Sequence, residues 1–184
     1  MKELSLNILD IAENSVKAKA SLIQISLKET EETLTLTIAD NGCGMKPDIL
    51  AGVINPFYTT RTTRKVGLGV PLLKMAAEQT GGEVRIESYH ESDYPDRHGT
   101  VVTAVFYKNH IDFTPLGDVI STMTTLIQGS PQLDFVFKHT SKNINVALDT
   151  REMREILGDE IPLNTPEILH WIADNLREQY GNLL

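Results

Sequence analysis

The chain has 184 residues, of which 41% are hydrophobic, and this is enough for one domain with a substantial core or one domain with an appendage. Its 17 basic and 25 acidic residues give a net charge of −8, which repels phosphate backbones and acidic membranes, so we expect neither nucleic acid nor membrane as a partner. The single Cys43 excludes an internal disulfide, and no stretch has the length and apolarity of a signal peptide or a membrane span. These features predict a cytoplasmic protein.

Charge is distributed unevenly along the chain. Residues 1–108 carry 12 basic and 14 acidic residues, a balance of −2, whereas residues 109–184 carry 5 and 11, a balance of −6. No repeat or Ser/Gly-rich linker separates the two segments. We therefore predict a first domain over 1–108 and an acidic C-terminal extension over 109–184 that packs against it.

Hydrophobic periodicity predicts the order of the elements. Apolar residues recur at helical spacing from Leu4 to Ala18, and they alternate over 22–28 and 33–39, as expected of a β-hairpin. Further helices are expected over 47–53 and 70–80, with strands over 83–88 and 100–107. For the extension, the pattern predicts a helix over 115–128, strands near 133–138 and 143–148, and helices over 150–157 and 165–180. The fold class is α+β, with helices on one face of a mixed sheet.

Two polar residues share one face of the first helix. Asp10 and Asn14 are four residues apart and therefore project one turn apart. The carboxamide of Asn14 can offer an oxygen to magnesium, and the carboxylate of Asp10 can orient a water molecule. A polar pair on the surface of an amphipathic helix is the alternative.

Four further segments have the composition of a nucleotide site. Asp40 opens the sequence Asp-Asn-Gly-Cys-Gly-Met at a strand end, where a carboxylate can accept the amine of adenine; a plain turn is the alternative. Gly67-Leu68-Gly69 begins a helix whose free N–H groups favour phosphate. The loop over 54–66 holds three cations and no acidic residue, so it is expected either to close over a triphosphate or to stay solvated; these cations are Arg61, Arg64 and Lys65. Thr100, after Gly99, can bring a hydroxyl to the base or simply begin a strand.

In order and spacing these segments resemble the GHKL nucleotide-binding family. The family comprises histidine-kinase catalytic domains, anti-sigma-factor serine kinases, type II topoisomerases, mismatch-repair ATPases and the ninety-kilodalton heat-shock chaperones. Residues 10–18 resemble its asparagine box, residues 40–45 its first glycine box and residues 55–61 its phenylalanine box. Residues 67–69 and 99–100 resemble its second and third glycine boxes. The resemblance covers residues 1–107.

This resemblance implies a Bergerat-type two-layer α/β sandwich that binds ATP and Mg²⁺. It implies Asn14 as the magnesium ligand, Asp40 as the acceptor for the adenine amine and Asp10 as the catalytic base. The other nucleotide-binding positions that it implies are Gly42, Gly44, Met45, Phe57, Arg61, Arg64, Lys65, Gly67, Leu68, Gly69 and Thr100. The apolar residues Leu6, Ile38, Met45, Phe57 and Leu68 are expected either to line the pocket or to belong to the core.

Two departures from the family pattern bear on activity. Hydrolytic and serine-kinase members have Glu at the position of Asp10, so aspartate retains a base with a shorter reach. None of the histidines has the flanking sequence of a phosphoacceptor; all are expected to be surface or structural residues, namely His90, His98, His110, His139 and His170. We therefore expect a free-standing histidine-kinase-like or serine-kinase-like module that acts on a protein partner in trans in signal transduction. The alternatives are a nucleotide-gated interaction or sensor protein with little turnover, and a slow ATPase. The final helix, with the apolar Trp171, can dock on the sheet or form a homodimer.

Overall fold

The computed structural model describes residues 3–54, 68–158 and 160–181, which form six helices and one six-stranded sheet. The helices are α1 (Leu4–Lys17), α2 (Pro47–Ile54), α3 (Gly69–Gln79), α4 (Val119–Gly129), α5 (Thr150–Leu157) and α6 (Pro166–Gly181). The strands are β1 (Leu22–Glu29), β2 (Thr33–Asp40), β3 (Glu83–Tyr89), β4 (Gly99–Tyr107), β5 (Asp134–Thr140) and β6 (Asn145–Asp149). Within these described ranges no helix combines the length and apolarity needed to cross a bilayer.

The sheet is mixed and has the strand order β3-β4-β2-β1-β5-β6. β1 lies between two partners: Ile25 is paired with Ile38 of the antiparallel β2 and with Phe137 of the parallel β5. The strands of the C-terminal extension therefore continue the sheet of the first segment through the free edge of β1. The domain boundary after Lys108 stays a prediction, and it separates two parts of one sheet.

One face of the sheet is buried beneath helices. Because side chains alternate across a strand, Ile23, Ile25 and Leu27 of β1 are buried while Gln24 and Lys28 on the other face are exposed. α1 contacts β1 and β2, α3 contacts β3 and β4, and α6 contacts β6, whereas α4 packs against both α1 and α6. The buried apolar residues of both segments form one continuous core. The predicted α+β class and its helix-covered mixed sheet are confirmed.

Element boundaries agree with the predicted ones within two residues, with one exception. α4 begins at Val119 and not at residue 115, because Asp118 caps the helix: its Oδ1 accepts a hydrogen bond of 2.9 Å from the N–H of Ser121. Gly117, just before this cap, has a φ of +76°, a conformation that interrupts a helix. The apolar spacing before the cap does not indicate where the helix begins.

A buried polar cluster attaches α6 to the far end of β1. His139 of β5 is 2% exposed, and its Nε2 lies 2.9 Å from Oε1 of Glu29 while its Nδ1 lies 2.8 Å from the hydroxyl of Tyr180. Lys108 donates to Oε2 of Glu29 at 2.6 Å. Burial alone would raise the pKa of Glu29, but the hydrogen bonds from Lys108 and His139 outweigh it and hold this pKa below its ordinary value. Burial, and then the charge of Glu29, raise the pKa of Tyr180.

Candidate functional site

A cleft of about 770 Å³ opens between the sheet and the helices α1 and α2, at the end of the sheet where β2 stops. Ile86 of β3 and Val102 of β4, which are paired neighbours, line it from the sheet side. The remaining walls come from α1, from the end of β2 and the segment that follows it, from α2, from Val70 of α3 and from His90. Of the residues singled out in the sequence, the cleft is lined by Asn14, Asp40, Gly44, Met45 and Thr100.

Asp40, the last residue of β2, is held in one orientation by three donors. Its Oδ1 accepts from the backbone N–H of Gly42 at 2.9 Å and from that of Thr100 at 3.3 Å. Its Oδ2 accepts from the hydroxyl of Ser15 on α1 at 2.6 Å. A carboxylate offers about four lone-pair positions, so these three donors leave room for about one more. Because Asp40 lines the cleft, its free acceptor position is available to a ligand there.

The glycine-containing segment after Asp40 is fixed between α1 and the loop that joins β3 to β4. Cys43 donates its N–H to the carbonyl oxygen of Ala18 at 2.9 Å, and its own carbonyl accepts from Glu91 at 2.9 Å. Gly44 has a φ of +69°, and a Cβ there would collide with the carbonyl oxygen of Tyr89. The close approach of the Tyr89 backbone therefore explains why position 44 requires a glycine. A close approach of a base to Gly44 stays a prediction.

Thr100 belongs to a hydroxyl network beside Asp40. Its Oγ1 lies 2.8 Å from the hydroxyl of Ser88, the residue paired with it on β3. The Ser88 hydroxyl accepts from the N–H of Met45 at 2.8 Å and also contacts the carbonyl oxygen of Gly99 at 3.2 Å. This network ties the segment after Asp40 to the two strands beneath it.

The structure also brings the start of α3 to α1. A Cβ placed on Gly69 would lie 3.0 Å from the Cβ of Asp10, so the N-terminus of α3 packs directly on the turn of α1 that precedes Asn14. Asn14 lines the cleft, whereas Asp10 and Gly69 are not among the residues that line it. Leu68, at the N-cap position of α3, makes no side-chain capping hydrogen bond, and the first N–H groups of a helix have no intrahelical partner.

Several positions expected at the site are placed elsewhere or lie outside the described residues. Leu68 is 72% exposed and Leu6 is 43% exposed, while Ile38 is buried in the core. Gly42 contacts Asp40 through its N–H but does not line the cleft. The positions that lie outside the described residues are Phe57, Arg61, Arg64, Lys65 and Gly67.

Two residues that the sequence did not single out are part of the site. Ser15 directly follows Asn14, but nothing in its spacing indicates a hydrogen bond to Asp40, 25 residues away. His90, expected to be a surface or structural histidine, lines the cleft. The signal available for His90 is its place just after the strand that precedes the third glycine box, in the loop of nine residues before Gly99.

Residues 2–110 match the family of histidine kinase-, DNA gyrase B- and HSP90-like ATPases. This match covers more than half of the chain, so the chain belongs to that family, the GHKL superfamily.

Curated relatives include sensor kinases. The chain is 28% identical over 75 residues to a probable C4-dicarboxylate sensor kinase of Bacillus subtilis, which is 41% of this chain and 14% of the relative. It is 30% identical over 90 residues to sporulation kinase C of the same organism, which is 48% of this chain and 20% of the relative. The chain thus spans a fifth or less of these two relatives. It is a histidine-kinase-like ATPase domain related to sensor kinases.

Two solved structures share the fold. The ATPase domain of Aquifex aeolicus MutL, solved with ADP, superposes with a TM-score of 0.57 at 12% identity, covering 85% of this chain and 69% of that one. The N-terminal domain of a DNA repair protein gives a TM-score of 0.53 at 14% identity, covering 81% and 52%. At these identities the likeness concerns the fold, and the Bergerat-type architecture predicted from the sequence is confirmed.

Proposed function

We propose that this chain binds Mg-ATP in the cleft and acts, as a free-standing histidine-kinase-like or serine-kinase-like module, on a protein partner in trans. The observation that carries the proposal is Asp40, a carboxylate fixed by three donors that retains one acceptor position toward the cleft. The exocyclic amine of adenine fits this acceptor. Guanine presents a carbonyl oxygen at the same place, which would leave two acceptors facing each other.

The other end of the site suits the phosphates. Asn14 of α1 lines the cleft, and the N-terminus of α3 lies against the turn of α1 that precedes Asn14. Helix N-termini favour anions, and Mg²⁺ takes oxygen ligands while keeping several waters. Asn14 would thus supply one protein oxygen to a Mg²⁺ ion that neutralises the phosphates. The MutL domain with a similar fold was solved with ADP, and this supports nucleotide binding here.

The relation of the chain to a probable sensor kinase and a sporulation kinase supports an action on a protein partner. A nucleotide-gated interaction protein with little turnover is the second candidate. It is favoured by the continuous core that joins the first segment to the extension, because a change at the cleft would act on the same sheet that carries β5 and β6.

The test follows the γ-phosphate. The purified chain is incubated with γ-labelled ATP and Mg²⁺, with and without extract from the native cytoplasm, beside the Asn14→Ala variant. Label on a protein, lost with Asn14→Ala, supports the kinase; free phosphate supports an ATPase. If neither product forms while calorimetry shows that ATP binds, the result supports the gated interaction protein. Absence of any ATP binding by the wild type overturns the proposal.

A further inference from the structure

His90 occupies a fixed position at the wall of the cleft. It follows Tyr89, the last residue of β3, and a Cβ placed on Gly44 would lie 3.1 Å from the Cα of His90. Its carbonyl oxygen accepts hydrogen bonds from Asp93 at 3.0 Å and from Tyr94 at 2.9 Å. The packing on Gly44 ties the backbone of His90 to the segment that follows Asp40, and the two hydrogen bonds fix it within its own loop.

The rest of the loop between β3 and β4 is held just as firmly. Glu91 donates its N–H to the carbonyl oxygen of Cys43 at 2.9 Å. The guanidinium of Arg97 lies 4.5 Å from the ring centroid of Tyr89, and the ring of Tyr94 stacks edge-on against it at 5.1 Å. His98 places its Nδ1 2.6 Å from the carbonyl oxygen of Gly42. The imidazole of His90 is thus carried on an ordered loop.

The hydrogen bonds of His90 determine which ring nitrogen carries its proton. Nδ1 accepts from the backbone N–H of Ser92 at 3.2 Å, and the Ser92 hydroxyl lies 2.8 Å from the same atom. We assign Nδ1 as the acceptor of this N–H, and the neutral ring then carries its proton on Nε2. Nε2 has no hydrogen-bond partner among residues 3–54, 68–158 and 160–181. The ring therefore presents an unused donor beside the cleft.

We propose that His90 donates this Nε2–H to a ring nitrogen of the bound adenine, which makes it a specificity-determining residue. The inference rests on the proposed nucleotide function. Asp40 supplies an acceptor for the exocyclic amine, and the ring nitrogens of adenine are acceptors that require a donor. The base is the favoured ligand part because His90 packs on Gly44 of the segment after Asp40, whereas the N-terminus of α3 packs on Asp10.

Calorimetry on wild-type, His90→Ala and His90→Gln chains tests the contact. His90→Ala is expected to lower the affinities for ADP and for ATP by the same factor, about 3- to 10-fold, which is the range of one neutral hydrogen bond. His90→Gln keeps an N–H donor and is expected to recover most of the affinity. His170→Ala, an exposed histidine on α6, is the matched control and is expected to bind like the wild type.

Three ADP analogues, each lacking the nitrogen at position 1, 3 or 7 of the base, identify the acceptor. One of them is expected to bind the wild type and His90→Ala equally; a difference that persists with all three overturns the proposal. Amide exchange at Glu91 reports on the loop, and a loss of its protection in His90→Ala assigns the weaker binding to the loop and also overturns the proposal. Equal ADP binding by the wild type and His90→Ala refutes this inference alone, whereas a wild type that binds no adenine nucleotide refutes the proposed function with it.

Discussion

The hydroxyl of Ser15 donates a 2.6 Å hydrogen bond to Oδ2 of Asp40 and so joins the last turn of α1 to the end of β2. Ser15 is 4% exposed, and the backbone of α1 fixes where its Oγ can reach. The two backbone donors of Asp40, from Gly42 and Thr100, both go to Oδ1. Ser15 is thus the contact that fixes Oδ2, the oxygen with the greater spare capacity for a ligand.

Ser15→Ala is therefore expected to weaken ATP binding without unfolding the chain. Loss of the hydroxyl leaves Asp40 with its two backbone donors, so the carboxylate keeps its place but loses the constraint on Oδ2. We expect a Kd for ATP about 3- to 10-fold higher, measured by calorimetry. Ser26→Ala, on the face of β1 that points away from the cleft, is the matched control. A Kd equal to that of the control would show that Ser15 does not position Asp40.

Asp40→Asn is expected to remove the preference for ATP over GTP. The asparagine carbonyl would keep the two backbone N–H groups of Gly42 and Thr100, which turns its NH₂ toward Ser15 and the ligand. An NH₂ group there opposes the amine of adenine and suits the carbonyl of guanine. We expect ATP to lose at least about 10-fold in affinity while GTP gains, in competition binding at fixed Mg²⁺. Equal wild-type affinities for ATP and GTP would contradict the role given to Asp40.

Asn14 and Asp10 are expected to separate binding from turnover. Asn14→Ala removes a magnesium ligand from the cleft wall, so the Mg²⁺-dependent part of ATP binding should fall. Asp10→Asn keeps the size of the side chain that packs beside Gly69, so binding should persist while hydrolysis or transfer falls by about 100-fold or more. Single-turnover kinetics beside binding curves measure both. An unchanged turnover rate in Asp10→Asn would exclude it as the base.

Local sequence patterns accounted for the elements because period and capping act within a few residues. The hairpin of β1 and β2 follows from alternating residues around a short acidic turn, and α6 begins at Pro166 after Thr165, as expected. Asn14, Asp40 and Thr100 were identified because each stands at a fixed place in a local motif. All three line the same cleft.

Pairings between distant residues could not be inferred in this way. Nothing in residues 134–140 specifies that they run parallel to β1, because an apolar strand fits either edge of a sheet with the same alternation. The contact of Ser15 with Asp40 could not be inferred either, because the helix and the strand come together only in the folded chain. His90 lines the cleft only because the glycine segment folds against its backbone.

Glu29→Gln is expected to destabilise the chain at neutral pH and much less in acid. The pKa of Glu29 is lowered from its ordinary 4.5 in the folded chain, so its charge stabilises the fold above that pH, and this stabilisation is lost as the pH falls through the lower folded value. We expect a loss of about 1 to 3 kcal/mol at pH 7, from the weakened bonds to Lys108 and His139. Urea unfolding at pH 7 and near pH 3.5 measures the difference. Glu31→Gln, in the exposed turn next to β1, is the control, and an equal effect of both substitutions would refute the prediction.

Gln179→Ala is expected to lower stability and promote self-association. Among the described strands β6 lies at one edge of the sheet, and the Gln179 amide occupies this edge at Ala147, accepting from its N–H at 2.8 Å and donating to its carbonyl at 2.9 Å. Removing the amide leaves both backbone groups open, and an open edge pairs readily with a strand of another copy. We expect a loss of about 1 to 2 kcal/mol in unfolding free energy. Sedimentation velocity over a concentration series should show a larger average mass than for the wild type. Glu178→Ala, an exposed neighbour on α6, should change neither quantity, and a Gln179→Ala chain that matches it in both measurements would show that the edge needs no such protection.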